Sequence, residues 1–396
     1  MDKPYYKNKP IGSIESLAET LRINKRLLVG LSRKIEDSYH PFDVKTNSGK
    51  IRRVYEPKNK LKIIQKRINR EIFESVKFPS YLKGAIRDTD DPRDYIINAK
   101  EHGRSETLIS LDITSFYESI TEDKVTDILK YLLKFPSDVS ELLTRLTVLD
   151  GKVPQGACTS SYIANLVFFN SEYKLVSRFR RKGIRYTRLL DDITLSSEKD
   201  LSTEEVESAI EGVVGLFSKY GLKNNSSKLR VEKRNFRNHN YRVTGLWVGN
   251  KNPALSKKER AYIRQLVFET EKLFKKDRTS SEYHKLWNMT SGKVAKMARL
   301  QHSQSKDYRK RLSVILPELG EDDVEKLVYN VKRFVGRLQS GKNIPRVSRT
   351  KKFNRLMHKA GILARTDKQL SRSLKLQLKT VRELVSTKEE LWNSNG

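Results

Sequence analysis

Two adjacent carboxylates inside a short apolar run constrain this chain more than any other feature: Asp191-Asp192 within Arg185-Tyr186-Thr187-Arg188-Leu189-Leu190-Asp191-Asp192-Ile193-Thr194-Leu195. A third, Asp112, lies upstream in Leu108-Ile109-Ser110-Leu111-Asp112-Ile113. Both stretches read as strands, by alternation or as apolar runs with polar bounds. An ionised Asp in or beside a buried strand costs several kcal/mol unless a counter-charge compensates it. Three brought together repel one another, and a divalent metal removes that conflict. Two Mg²⁺ ions about 3.5–4 Å apart are the usual device for in-line phosphoryl transfer, so the pattern points to nucleotidyl transfer. The plainer alternative makes Asp191-Asp192 the polar tip of a β-hairpin and Asp112 a helix cap, because acidic turn residues are common.

Charge narrows the partners. Against 48 Asp and Glu stand 80 Lys and Arg, a net charge of +32 over 396 residues. Such an excess attracts a polyanion, nucleic acid first. An acidic membrane is the weaker alternative, since no apolar stretch approaches the about 18 residues needed to span a bilayer. Met1-Asp2-Lys3-Pro4-Tyr5-Tyr6 carries no signal-peptide apolar region, and a cytoplasmic location is expected. One cysteine, Cys158, excludes an internal disulfide and a Cys-based zinc knuckle.

The basic charge is concentrated. From Lys326 to Arg382, 17 Lys or Arg residues accompany one acid, Asp367, so half of the whole excess lies in this segment. Leu327, Val328, Val331, Phe334, Val335 and Leu338 recur at helical spacing, which predicts a folded helical surface that contacts nucleic acid. A solvated helix face is the bland alternative.

Length allows two or three sub-domains. Residues 13–37 carry one amphipathic helix pattern, a hairpin is expected around Asn47-Ser48-Gly49-Lys50, and a helix across Leu61 to Val76. Residues 105–250 alternate short strands with helices, as in an α/β or split-βαβ domain. After Asn250 the pattern is helical, broken at Thr279-Ser280-Ser281, Ser340-Gly341-Lys342 and Pro345.

The order of short motifs adds a resemblance. Leu111-Asp112-Ile113-Thr114-Ser115-Phe116-Tyr117 is followed by Val153-Pro154-Gln155-Gly156-Ala157, by Asp191-Asp192, and by Gly221-Leu222-Lys223-Asn224-Asn225-Ser226-Ser227-Lys228. These stand in the order of reverse-transcriptase motifs A to D. Asn98-Ala99-Lys100-Glu101-His102 and Val243-Thr244-Gly245-Leu246 are similar to the Asn-Ala-x-x-His and Val-Thr-Gly elements of bacterial retron reverse transcriptases. Arg53-Val54-Tyr55-Glu56-Pro57, with Leu61-Lys62-Ile63-Ile64-Gln65, resembles their fingers region. The likeness covers roughly residues 13–315.

The resemblance implies an α+β right-hand polymerase. Residues 1–104 would be an N-terminal helix and fingers with part of the palm, 105–250 a split-βαβ palm, 251–320 a helical thumb, and 321–396 a basic helical C-terminal extension. Asp112 and Asp191 would bridge two Mg²⁺ ions, with Asp192 in support and Ile113 offering its backbone carbonyl. Tyr117 falls where the family keeps an aromatic gate against a ribose 2′-OH, so dNTPs are the expected substrates; Phe116 reads as core. Gln155 and Gly156 would approach the templating base pair, Arg53 and Lys62 are candidates for the incoming triphosphate, and Lys228 is a candidate general acid for pyrophosphate. Arg52, Lys58 and Lys60 remain alternatives for the triphosphate. Asn98 and His102 read equally as a family element near the active site or as a helix-end Asn and a satisfied His.

Two positions depart from the family. Leu189-Leu190 replaces the usual Tyr-Ala before the acidic pair, and Cys158 stands where proline is common. By resemblance, the partners are a cognate structured non-coding RNA serving as template and primer, dNTPs, a branched single-stranded DNA product and an effector protein in trans, in anti-phage defence. The alternatives are a defence-associated or abortive-infection reverse transcriptase making untemplated or long DNA, and a non-catalytic RNA-binding scaffold.

Overall fold

The computed structural model describes residues 2–46, 49, 51–234, 241–341 and 344–387. Residues 2–253 form one compact unit and residues 254–387 a second. The first opens with β1 (Tyr5–Tyr6) and two short helices, α1 (Ile14–Leu21) and α2 (Lys25–Ser32). The single helix expected over 13–37 is broken because Arg22 turns left-handed at φ 51° and closes α1. Asn24 then caps α2, its side chain accepting from the Arg26 N–H.

The expected hairpin is present as β2 (Tyr39–Lys45) and β3 (Ile51–Pro57), with Asp43 opposite Arg53. Its turn residues Asn47, Ser48 and Lys50 lie outside the described residues. The next helix, α3 (Asn59–Glu71), buries Leu61, Ile64 and Ile68 and stops short of the expected Val76. A tight turn over Phe73–Ser75 intervenes before β4 (Val76–Lys77), which pairs with β1. Asp94 caps α4 (Tyr95–Glu101) by accepting from the N–H groups of Ile96 and Ile97.

A four-stranded antiparallel sheet follows. After β5 (Thr107–Asp112) come α5 (Phe116–Ser119), α6 (Glu122–Asp127), α7 (Ser137–Thr147), α8 (Ser160–Leu166) and α9 (Glu172–Arg181). The hairpin β6 (Ile184–Leu189) and β7 (Asp192–Ser197) is followed by α10 (Thr203–Lys219), with a Ser202–Glu205 capping box, and by β8 (Arg230–Lys233). Spatial order is β6-β7-β5-β8, which sets β5 between the hairpin and β8. Ile109, Leu111, Ile193 and Leu195 are buried and join one core with Phe168, Val213 and Phe217 from the helical side. Full burial of each such side chain contributes about 1.5–3 kcal/mol, so the sheet is a stiff platform for whatever its strand ends carry. A two-residue turn, Thr244-Gly245, joins β9 (Arg242–Val243) to β10 (Leu246–Trp247).

The second unit is helical. α11 (Lys257–Lys276), α12 (Ser281–Arg299) and α13 (Ser305–Val314) pack together, with Tyr283 donating its hydroxyl to the Ile315 carbonyl and Arg311 clamping Glu271 through two bonds of 2.7 Å. α14 (Glu321–Gln339), α15 (Arg346–Leu363) and α16 (Lys368–Lys379) follow. Beyond the breaks expected from sequence, the helices also stop after Arg299, Val314 and Leu363. Among the described residues no helix is long and apolar enough to cross a membrane.

Candidate active site

The sheet brings the three sequence-predicted carboxylates to one end. Asp112, the last residue of β5, is the register partner of Asp192, the first residue of β7. Asp191 sits beside them in the tight turn between β6 and β7. The hairpin-tip alternative is therefore true of Asp191-Asp192, and the tip lies against Asp112. The turn holds Leu190 at φ 61°, a conformation rare for a side chain with a Cβ. Leu189 and Leu190 both lean on Gly84, where an added Cβ would stand 3.2 Å from each leucine Cγ.

Electrostatics reflect the crowding. Loss of solvent raises the Asp191 carboxyl above its ordinary value, and the Asp112 charge adds to the shift. Asp192 is pushed up to about 6, by desolvation first and then by the charges of Asp191 and Asp112. Asp112 itself is buried and compensated: Lys228 donates to its Oδ1 at 2.7 Å, and Asn225 donates Nδ2–H to its Oδ2 at 3.0 Å. Asn225 also donates its backbone N–H to the Asp112 carbonyl at 2.8 Å.

Among the described residues no three acidic, His or Cys side chains already form a finished metal cage. The donor set still fits a hard divalent cation, because every donor is a carboxylate or carbonyl oxygen. Desolvation first and then mutual repulsion disfavour the charged forms of Asp191 and Asp192, and such a cation would offset both. Ile113 sends its N–H to the Asp191 carbonyl at 3.2 Å. In an extended strand a residue's C=O points to the same side as its N–H, so the Ile113 carbonyl faces the hairpin tip as well.

The other predicted residues divide. Tyr117 is half-buried, its hydroxyl 3.4 Å from Ser161 Oγ near the start of α8, and its phenol is raised first by burial and further by the Asp191 charge. Phe116 is core, stacked on Phe168. The Gln155 carbonyl accepts from the Tyr55 N–H at 2.8 Å. Gly156 has φ 110°, and a Cβ there would come within 2.6 Å of Val54 Cγ1 and 3.0 Å of the Tyr55 carbonyl. Its glycine is thus required by the approach of β3, whatever the template does.

Arg53 reaches Asp43 at 3.8 Å, while its neighbour Arg52 is the one whose charge acts on Asp191. Successive strand residues face opposite ways, and of the two arginines it is Arg52 whose charge reaches Asp191. Lys62 is paired with Glu56 at 2.7 Å.

Two braces behind the hairpin were missed or left open by sequence reasoning. Arg188, fully buried, places five donor bonds: two on Glu172 (2.6 and 2.9 Å) and one each on the carbonyls of Ala164, Asn165 and Leu190. It ties the acidic turn to α8 and α9. The signal was available, since an Arg inside a buried strand is as anomalous as an Asp. His102 is the second brace. Fully buried, it lies 2.7 Å from Thr187 Oγ1 on β6 and 2.7 Å from Ser196 Oγ on β7. Desolvation, with Arg185 and Lys83 nearby, pulls its pKa down to about 3, so it is neutral. Asn98, buried on the same helix, has no side-chain partner among the described residues. The Val243-Thr244-Gly245 turn meets this helix, Thr244 Oγ1 donating to the Tyr95 carbonyl at 2.8 Å.

Comparison with known proteins shows the family. Residues 44–248 match the family described as reverse transcriptase (RNA-dependent DNA polymerase). The chain is 43% identical to the Retron Se72 reverse transcriptase of Salmonella heidelberg (strain 579083-10) over 96% of its own length and 98% of the relative's. It is 33% identical to the Retron Ec48 reverse transcriptase of Escherichia coli over 81% of each chain. Identity to the Retron Ec86 reverse transcriptase of Escherichia coli is 24%, over 65% of this chain and 78% of the relative.

Proposed function

Since the chain belongs to the bacterial retron reverse transcriptases and is an RNA-directed DNA polymerase, we propose that it copies a cognate structured non-coding RNA into a short branched single-stranded DNA. The observation that carries the site assignment is the opposition of Asp112 and Asp192 across β5 and β7, with Asp191 in the adjoining turn. Reverse transcriptases use divalent metal ions. Here two Mg²⁺ would be held by Asp112, Asp191, Asp192 and the Ile113 carbonyl, and when bound they would activate the primer hydroxyl and neutralise the departing pyrophosphate.

The chain's own side chains then have distinct tasks. Lys228 now neutralises Asp112; once the carboxylate is otherwise engaged, its ammonium is free to protonate pyrophosphate. Tyr117 excludes a ribose 2′-OH, favouring dNTPs. Arg52, with Lys62 released from Glu56, binds the triphosphate. Gln155 and Gly156 shape the floor under the templating pair. Residues 1–104 act as fingers with part of the palm, 105–250 as palm, 251–320 as thumb and 321–396 as a basic extension. In this reading the RNA also primes, from the 2′-OH of an internal guanosine, and the RNA–DNA complex restrains an effector supplied in trans in cytoplasmic anti-phage defence.

The test is to purify the chain with its flanking locus and treat the co-purifying nucleic acid separately with RNase, DNase and a debranching enzyme. A discrete short DNA that shifts on debranching and is absent from Asp191→Asn is expected. Long, heterogeneous or unbranched DNA would sink the branched-product reading.

A further inference from the structure

The last three helices of the second unit share a core of their own. Leu327, Val331 and Phe334 of α14, Phe353 and Leu356 of α15 and Leu374 of α16 are buried against one another. The acids Glu321, Asp322, Asp323 and Asp367 sit at the starts of α14 and α16, where helix dipoles favour them. α15 carries six Lys or Arg and no Asp or Glu. Some of these have structural work: Arg349 donates to the carbonyls of Leu384 and Ile344, and Lys359 pairs with Asp323 at 3.3 Å.

A different set of cations gathers between α14 and α15. Lys352 lies over the Phe334 ring at 5.7 Å and Arg333 over the Tyr329 ring at 5.9 Å. Arg333 and Arg337 are one turn apart on α14, Lys352 and Arg355 one turn apart on α15. Burial, then the charges of Arg333, Arg337 and Arg355, lower the Lys352 pKa, so each of the three arginines is within electrostatic reach of Lys352. Among the described residues none of the four is ion-paired. A merely solvated face would point its cations outward and mix in acids. This one converges them, holds two against aromatic rings, and leaves the repulsion standing.

We propose that Arg333, Arg337, Lys352 and Arg355 form a docking site for the phosphate backbone of RNA. The four cations are complementary to a polyanion, and contacts of this kind to phosphate carry no sequence information. RNA is the occupant because the polymerase reading, on which this inference rests, requires the chain to hold RNA throughout synthesis.

The test uses the full chain and a fluorescent RNA hairpin of about 30 nucleotides, with a DNA strand of the same sequence as the second probe. Anisotropy titrations run between about 50 and 200 mM salt. The variant Arg333→Gln/Arg337→Gln/Lys352→Gln/Arg355→Gln is expected to lose about tenfold or more in RNA affinity, with its log–log salt slope smaller by about 3. Its melting temperature should equal or exceed that of wild type, because repulsion is relieved. Arg333→Lys/Arg337→Lys/Arg355→Lys should retain the slope. Should the fourfold variant fail to fold, the exposed pair Arg337→Gln/Arg355→Gln decides, with about half the slope change. An unchanged RNA slope overturns the site, and a loss confined to the DNA probe overturns RNA as its occupant. Incorporation of dNTPs by wild type on an annealed RNA template and DNA primer tests the polymerase reading separately: if that fails while the slope still falls, the site stands and the functional reading does not.

Discussion

The catalytic hairpin and the α14–α15 face handle charge in opposite ways. Behind the hairpin every donor of the buried Arg188 guanidinium meets an acceptor, and both ring nitrogens of His102 lie against hydroxyls. Between α14 and α15, four cations gather around Lys352 with no ion-pair partner among the described residues. Matched charge in the interior fixes position, because a buried ion without partners costs more than folding supplies. Unmatched charge at a surface costs less and is the mark of a ligand supplied from outside. The acidic trio lies between these extremes, with Asp112 matched by Lys228 and Asn225 while partial desolvation of the carboxyls and mutual repulsion raise Asp191 and Asp192.

The largest effect should come from the unmatched carboxylates. Asp191→Asn should lower dNTP incorporation at least about a thousandfold, because a metal contributes several kcal/mol of charge stabilisation, while circular dichroism stays unchanged. Substantial residual incorporation would remove Asp191 from the centre. Next is the contrast itself. Arg188→Met strands Glu172 in the interior and should cost about 3–5 kcal/mol in urea unfolding, whereas Arg337→Met should change stability by less than about 0.5 kcal/mol. Adding Glu172→Met to Arg188→Met should recover part of the loss. Equal costs at Arg188 and Arg337 would erase the distinction between matched and unmatched charge.

Much of this was legible in the sequence, for reasons that can be named. Asp112 and Asp191-Asp192 stood out because charge inside an apolar run is costly, and their order with Gln155-Gly156 and Lys228 fixed the family resemblance. The α14 core was visible as the spacing of Leu327, Val331, Phe334 and Leu338. What was hidden depends on contacts between distant segments. Gly156 is dictated by Val54 and Tyr55, about a hundred residues earlier, and no local pattern reveals that. Arg52 and Arg53 differ only in which face of β3 they occupy, which the hairpin's packing decides. The break at Arg22 is set by one backbone torsion within an otherwise continuous apolar stripe.

A smaller effect tests the matched side through pH. His102 has a folded pKa of about 3, below its ordinary 6.5. The unfolded chain therefore binds the proton first: the stability contribution is complete above pH 6.5 and is lost as pH falls toward 3, at about 1.4 kcal/mol per pH unit. Between pH 7 and 5 wild type should lose about 2 kcal/mol more than His102→Gln, measured by urea unfolding. Parallel pH profiles would mean that the ring is not held neutral between Thr187 and Ser196.

The smallest effect returns to the unmatched side and runs in the reverse direction. Asp192 has its carboxyl raised to about 6, so its ionised form is less favourable in the folded protein than in the unfolded chain. That penalty is absent below pH 4 and complete above pH 6, the opposite sense to His102. Asp192 is exposed and solvent screens it, so the discounted effect is at most about 1 kcal/mol, or about 2 °C in melting temperature for a protein of this size. Without divalent metal, Asp192→Asn should therefore melt slightly higher than wild type at pH 8, and the gain should vanish at pH 4. Adding Mg²⁺ should reverse the ranking, since the cation relieves the repulsion in wild type and finds one carboxylate fewer in the variant. If Asp192→Asn melts lower than wild type in the absence of metal, repulsion among the three carboxylates is not what the fold carries at this end of the sheet. The raised Asp191 would then reflect burial alone, and the argument that unmatched charge marks a ligand site would rest on the α14–α15 face.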